Sequence, residues 1–494
     1  MSSTPQPIRL PARISFPRLL KPSLTDFFFV AVVFWLFLSA PGGWDRLLTD
    51  GDVGLHTRAG DYILDTRAVP KTDPFSFTRG GERWFAFQWL SEVAFAILNR
   101  RFGLEGILLL CAAVTALTYT VLLRDMVKRG AHGIAALLIA LMIANASSIH
   151  LHARPHLFTI LFFVFAHYLI ARDRQQPSKQ IWWLVPLTVV WANVHSGFPV
   201  LLLSLGLLAA AQLIVCDWYA LRRYSILTAV CVLATLINPN GIELYRHMAR
   251  FLGNTWLMQN INEYQSPVFR GEQMLYYMGF LFAALICMWP LAARRRWPEC
   301  LWILALGAMS LQSARHIPLF LIVAAPAIAM VASEKLRTIK SAEDLGEKCV
   351  ARLSPISVWP VVFLAAVAGL TDSSTWPTDL SAKHFPREMV HQYRDLLTST
   401  RVFSTDQWGD YLLWANYPKQ RVFIDGRSDF FQDVLSKEYV AVLNANREWR
   451  TILDKYAVKT LLIPPDAPLA EAVWKETAWR LVAKDEAAIL LTRP

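Results

Sequence analysis

Leu24-Thr-Asp-Phe-Phe-Phe-Val-Ala-Val-Val-Phe-Trp-Leu-Phe-Leu-Ser-Ala40 decides the fold class, because Leu48-Thr-Asp-Gly-Asp-Val-Gly-Leu-His56 follows it so closely. The first run approaches the ~20 residues that an α-helix needs to cross a ~30 Å hydrocarbon core. Arg9, Arg13, Arg18 and Lys21 precede it, and no clear small-residue cleavage site follows Ala40, so it reads as a retained first span. The second run sets two carboxylates around Gly51, a residue that permits a tight turn. Such a pair can bind a hard divalent cation, Mg or Mn, through oxygen, or leave one carboxylate free as a base. Asp50 and Asp52 are therefore the candidate catalytic residues and the candidate metal ligands. An ordinary polar turn is the competing reading.

Working outward, apolar runs recur over 105–123, 133–149, 156–171, 180–196, 199–216, 224–238, 276–293, 299–312, 316–332 and 357–370. With the first run they make about eleven transmembrane helices, so the expected fold class is a polytopic α-helical membrane protein. The composition agrees: 54% of the 494 residues are hydrophobic, with 19 Trp and 28 Phe, which is too apolar for an ordinary water-soluble chain. The formal charge of +11 comes mostly from cations flanking apolar runs, which argues against nucleic acid as a partner. The six cysteines fall in apolar runs or expected cytoplasmic loops and have no metal-site spacing, so they read as small hydrophobes.

Charge gives orientation. A cytoplasmic N-terminal tail (1–23) places Arg124, Lys128 and Arg129, then Arg172, Arg174 and Lys179, then Arg222 and Arg223, then Arg294, Arg295 and Arg296 on the cytoplasmic side. The membrane domain then covers 24–370, with a long loop at 42–104 outside, and an odd number of crossings leaves 371–494 outside as well. That loop reads as a structured cap. Leu55, Ala59, Tyr62 and Ile63 recur at helical spacing opposite Arg58, Asp61 and Asp65, as in a helix lying in the headgroup plane. A second such helix is expected over 88–100, and Asp73-Pro between the two is turn chemistry. The tail domain reads as a small α/β fold: strand 401–404, helix 408–417, strand 421–425, helices across 431–456, strand 459–463, a helix near Glu471 and a hairpin over 480–492.

This topology gathers ionisable groups on the external face: Asp50, Asp52, His56, Arg154, His195, Glu263 and Arg315. Such groups are costly at membrane depth and persist mainly where they line a cavity, so they are the candidate substrate-binding set. His150, His152 and His156 can converge on a transition metal; the alternative is a helix end broken by Pro155, with Arg154 beside an anion or carboxylate. Asp425 and Arg427 follow the carboxyl end of an expected strand, where open α/β sheets place ligands, or else form an ion pair that holds a turn.

Asp50 and Asp52 with the following Asp73-Pro-Phe-Ser-Phe77, the Arg154-Pro155 break and the external tail domain together resemble the bacterial multi-pass glycosyltransferases of the GT-C fold. Within the tail, Gln407-Trp-Gly-Asp-Tyr411 is similar to a rearranged Trp-Trp-Asp-Tyr-Gly signature of oligosaccharyltransferase catalytic subunits, and Val422-Phe-Ile-Asp-Gly-Arg427 follows it. The resemblance implies a bacterial plasma (inner) membrane enzyme that moves a sugar from a polyprenyl-phosphate-linked donor to a glycan, lipid or protein acceptor, with inversion. It adds Trp408, Asp410 and Tyr411 to the substrate-binding candidates. A lipid transporter and a non-catalytic GT-C-like scaffold are the other functions compatible with this pattern; no internal repeat of the transporter kind stands out.

Overall fold

The computed structural model describes residues 20–39, 43–353, 357–372 and 376–494; most of the expected basic tail, up to residue 19, lies outside the described residues. The first apolar run forms helix α1 (Leu24–Phe34), whose start is fixed by Asp26: its Oδ2 accepts from Ser23 N at 2.7 Å and from Ser23 Oγ at 2.9 Å. A π-helical turn, Trp35–Ser39, continues it. Helix α2 (Asp52–Thr66) follows the paired carboxylates and stops at Arg67, which takes a left-handed conformation at φ 55°.

Helix α3 (Trp89–Lys128) merges two expected elements. The surface helix at 88–100 and the span at 105–123 are one 40-residue helix, bent where Gly103 adopts φ 63° and ψ −157°. Only glycine adopts such a backbone without strain, so this residue sets the angle between the two halves. Helices α4 (Gly133–Ala146), α5 (His156–Gln175), α6 (Glu272–Ala293) and α7 (Ile317–Leu336) supply the other long apolar elements. Among the described residues, five helices are long and apolar enough to cross a membrane, and Leu24–Leu38, Pro199–Ile214 and Trp359–Leu370 are shorter apolar helices. α7 is the central one, packed against α4, α6 and the helix Trp297–Gln312. α6 lies at the rim and leaves Phe282, Ile286 and Trp289 exposed, as a lipid-facing surface requires.

The C-terminal region forms a four-stranded sheet of β1 (Val402–Ser404), β2 (Thr460–Ile463), β3 (Arg480–Lys484) and β4 (Ile489–Thr492), in the order β1-β2-β4-β3. β1 pairs parallel to β2 with Val402 opposite Thr460, and the other pairs are antiparallel. The expected strand at 421–425 is not in this sheet. Val422 instead bridges Ser76 of the long loop: Val422 N donates to Phe75 O and Phe77 N donates to Val422 O, both at 3.0 Å. A hydrophobic extended run pairs with whichever free edge is nearest, and here the loop provides it.

The loop is accordingly a wedge inside the molecule rather than a cap in the headgroup plane. α2 lies between α3 and α8 (Asp406–Asn416), with Leu55, Ala59 and Ile63 buried. Its polar face meets protein too, since Arg58 Nε donates to Trp414 O at 3.1 Å and Asp61 accepts from Arg100 Nε at 2.7 Å. Gly54 allows the crossing: a Cβ there would stand 2.8 Å from the Cβ of Trp414 and 2.9 Å from Asp410 O.

Candidate active site

The acidic pair sits on the turn into α2. Asp50 Oδ1 accepts from Asp52 N at 3.0 Å, which sets a carboxylate at the start of the helix, where the helix dipole favours one. Gly51 N between them donates to Gln407 Oε1 on α8 at 2.8 Å, so the C-terminal region holds this turn from behind.

Arg154 enters from another element. It stands in the turn between the 3₁₀ segment Ser147–His150 and α5, where Arg154 N donates to His152 O at 2.8 Å. Ala153 N donates to Leu47 O at 2.9 Å, which ties this turn to the segment just before Asp50. Arg154 Nη2 lies 2.6 Å from Asp50 Oδ2 and 3.0 Å from Asp52 Oδ2, and Nη1 is bonded to Glu263 Oε1. Three carboxylates from two loops thus close on one guanidinium. Arg315 joins the rim, stacked over the Tyr264 ring at 4.5 Å and adding positive potential at Glu263.

Burial raises the affinity of each carboxyl for its proton, and the cations decide the outcome. For Asp50, burial is outweighed by Arg154 and His152, and its pKa falls below the usual value. Glu263 is likewise held low because Arg154 and Arg315 together exceed the cost of burial. Asp52 differs: burial dominates, Arg154 opposes it, Asp50 adds repulsion, and the pKa is pushed up to about 6. Asp410 of α8 is raised well above its ordinary value by burial and then by Asp52. Asp52 and Asp410 approach each other across Gly426, where a Cβ would fall 2.2 Å from Asp52 Oδ1 and 2.9 Å from Asp410 Oδ2. Only glycine fits there. Asp410 Oδ1 accepts from Gly426 N at 3.0 Å, while Asp52 Oδ1, Asp410 Oδ2 and Arg154 Nε are buried with no hydrogen-bond partner among the described residues.

The sequence-derived candidates therefore divide. Asp50, Asp52, Arg154 and Glu263 form one cluster, Arg315 borders it, and Asp410 reaches it from the C-terminal region. His56 lies deeper, with Nδ1 3.3 Å from Glu92 Oε1 of α3. His195 is fixed within the bundle by Thr159 at 2.8 Å and by Gly197 N, which donates to its Nδ1 at 3.1 Å. Trp408 and Tyr411 face the core of the C-terminal region. Trp408 Nε1 donates to His384 O at 2.9 Å, and Tyr411 OH donates to Asp379 at 2.8 Å. Asp425 and Arg427 form a clamp: Arg427 Nε and Nη2 donate to Asp425 at 2.7 and 2.6 Å, and Nη1 lies 2.8 Å from Asp73 of the long loop. Trp84, Phe430 and Phe75 surround that guanidinium with ring centroids at 4.6 to 5.3 Å. The pair holds loop to tail through a buried, cation–π-supported contact. Gln407 and Gly426 were not among the sequence candidates; Gln407 carried no signal beyond its place beside Trp408.

A divalent cation needs several oxygen or imidazole donors free to converge on it. Here Asp50, Asp52 and Glu263 each give an oxygen to Arg154, and His150 Nε2 and His156 Nε2 are engaged with the Ala314 and His150 carbonyls at 2.9 and 2.6 Å. Among the described residues no group of three or more His, Cys, Asp or Glu side chains is arranged to hold a metal ion. Asp50, Asp52 and Glu263 as folded fit a guanidinium, and the carboxylate oxygens left free beside them, Asp52 Oδ1 and Asp410 Oδ2, are fewer than the three convergent ligand residues a metal site needs.

A helical membrane fold with a C-terminal mixed sheet docked on a carboxylate-bearing first loop describes the class of this molecule. No family model and no curated protein matches the chain. Solved structures with the same fold include the apo oligosaccharyltransferase of Archaeoglobus fulgidus, which superposes with a TM-score of 0.59 at 12% identity over 89% of this chain and 69% of that one. AglB from the same organism, in complex with an inhibitory peptide and a dolichol-phosphate, gives 0.58 at 14% identity, again over 89% and 69%. The complex of the same oligosaccharyltransferase with Zn and sulfate gives 0.57 at 12% identity over 95% and 73%. The chain shares its fold with these oligosaccharyltransferase structures.

Proposed function

We propose that the chain is an inverting membrane glycosyltransferase that moves a sugar from a polyprenyl-phosphate-type donor to an envelope acceptor, a glycan, lipid or protein, at the external face of a bacterial plasma membrane. The observation that carries this is the Asp50, Asp52, Glu263 and Arg154 cluster, with Asp52 Oδ1 and Arg154 Nε left without partners among the described residues, where the bundle meets the C-terminal region. A base and a cation for a leaving phosphate are what in-line displacement at an anomeric carbon requires. Asp52 accepts the acceptor hydroxyl proton, the new C–O bond forms as the bond to phosphate breaks, and Arg154 takes the charge that develops on the phosphate. The fold shared with oligosaccharyltransferases, one of them solved with a dolichol-phosphate, supports a lipid-linked donor. About eleven crossings with the tail outside complete this reading, and put donor and acceptor in one compartment.

Transfer of labelled sugar from a polyprenyl-phosphate donor, measured in membranes carrying the chain, tests it. Mass spectrometry of envelope glycans with and without the active gene identifies the sugar and the acceptor. Asp52→Asn is expected to lower transfer by about 10²- to 10⁴-fold, the usual contribution of a positioned base, with the amount of inserted protein unchanged. Full transfer by that variant removes Asp52 from the mechanism.

A further inference from the structure

The carboxylate cluster already contains its cation. Asp50 Oδ2 and Asp52 Oδ2 meet at one nitrogen of Arg154, and Glu263 takes another. The second oxygen of Asp50 is spent on Asp52 N. That leaves Asp52 Oδ1 as the free oxygen of the pair, and it faces Gly426 and Asp410. His152, the remaining nearby imidazole, has its Nδ1 3.3 Å from Thr49 Oγ1.

The guanidinium is delivered by backbone rather than by a long swinging side chain in solvent. Pro155 opens α5 directly after Arg154, and the preceding residue is tied to Leu47. The Arg154 side chain is 17% exposed, and burial, which disfavours its charge, is outweighed by Asp52, Asp50 and Glu263 in that order, so it stays protonated. Guanidinium is also the more weakly hydrated of the two cationic side chains, which suits a desolvated anion pocket. Its fork is used on the two Nη atoms only. Nε, buried and unpartnered among the described residues, is the donor left over for a ligand that brings an acceptor oxygen.

We propose that Arg154 is a resident cation that takes the place of a divalent metal in this cluster, and that sugar transfer proceeds without bound metal. This rests on the glycosyltransferase reading above and deepens it. The acceptor O–H proton passes to Asp52, the acceptor oxygen bonds to the anomeric carbon, and the carbon–phosphate oxygen bond breaks with its electron pair retained by the phosphate. The Arg154 Nε–H hydrogen-bonds to that oxygen group, so every proton and electron pair is placed with no further reactant.

The test measures Mn(II) binding to the purified full-length chain by electron paramagnetic resonance, in parallel with transfer after exhaustive treatment with EDTA. The wild-type chain is expected to hold less than stoichiometric Mn(II) and to keep its transfer rate after chelation. Arg154→Ala frees the three carboxylates, so it is expected to bind one Mn(II) per chain and to lose transfer by about 10²-fold or more, the scale for removing one preorganised donor. One Mn(II) per wild-type chain, or transfer that EDTA stops and Mn(II) restores, overturns the proposal. So does a monodisperse Arg154→Ala chain that binds no Mn(II). If Arg154→Ala does not fold, the wild-type Mn(II) measurement still decides. The spectroscopic arm does not depend on turnover, so a chain that binds no Mn(II) and transfers no sugar refutes the glycosyltransferase reading while leaving the cation assignment standing.

Discussion

Two carboxylate networks of the helical bundle treat buried charge in opposite ways. Where α3 and α5 finish, Asp173 accepts from Arg223 Nη2 at 2.7 Å, Arg223 Nε at 3.1 Å, Ser178 N at 2.8 Å and Tyr224 OH at 3.2 Å. Glu299 beside it takes both Arg174 nitrogens, at 2.8 and 3.1 Å, and also Arg296 Nε at 3.1 Å. Every oxygen of these two carboxylates has a donor. In the other network, Asp52 Oδ1, Asp410 Oδ2 and Arg154 Nε have none among the described residues. Buried polar groups in folded proteins are normally satisfied, so a complete network reads as structural and an incomplete one as a place where something else binds. Charge density alone does not distinguish the two carboxylate networks; saturation of their oxygens does, and it is a property of the networks rather than of whole ends, since Arg129 Nε beside Glu299 is also buried without a partner among the described residues.

If the Asp173 network is structural, removing one member should cost stability and little else. Asp173→Ala leaves Arg223 without its carboxylate in a largely buried setting, and the expected loss is about 3 to 5 kcal/mol, the range for breaking a buried pair. Thermal unfolding in detergent checks the loss. Transfer per folded molecule should stay near wild type, and a specific loss of turnover by the folded fraction would erase the contrast between the networks.

The sequence carried much of this site, and particular residues show the limit. Asp50, Asp52, Arg154 and Glu263 were legible because each stands in a segment between apolar runs, where ions near membrane depth demand a reason. Their convergence on one guanidinium was not. Asp410 was named for its motif, yet its place beside Asp52 depends on Gly426 and on α8 crossing α2 at Gly54, contacts across more than three hundred residues that no local pattern encodes. The same blindness misplaced the segment at 421–425: its apolar character announced an extended run, but nothing in it could say that the partner is Phe75–Phe77 rather than β1. With the sheet edge gone, Asp425 and Arg427 lost the argument for a ligand site and became the clamp on Asp73. The acidic partners of Arg223 and Arg174, Asp173 and Glu299, escaped notice because each lies inside or beside an apolar helix.

A smaller effect sharpens the contrast through pH. Asp52 has its folded pKa raised from 3.8 to about 6, so the folded state favours the protonated carboxyl and pays for ionising it. That cost is absent below pH 4, grows as pH rises through the interval up to 6, and is complete above it, amounting to at most about 3 kcal/mol. Asp52→Asn carries no such cost. Its melting temperature is therefore expected to equal that of wild type near pH 4 and to exceed it above pH 6, whereas wild-type transfer should fall as pH drops below about 6 and the base becomes protonated. A stability difference that shrinks with rising pH would show that Asp52 is a saturated carboxylate like Asp173.

The smallest expected effect concerns Trp408, whose neighbours Gly409, Asp410 and Tyr411 resemble a peptide-binding signature. Its ring is 7% exposed and its Nε1 is spent on His384 O, so no donor remains for an acceptor. Trp408→Phe keeps most of the apolar contact and forfeits one hydrogen bond to a residue that is exposed, at a cost of about 1 kcal/mol or less. Transfer at saturating acceptor should be unchanged, and so should the acceptor KM. A KM raised tenfold or more with the melting temperature preserved would move Trp408 into the acceptor site. The C-terminal region would then act on the acceptor directly, rather than through Gln407 and Asp410 at the edge of the Asp52 turn.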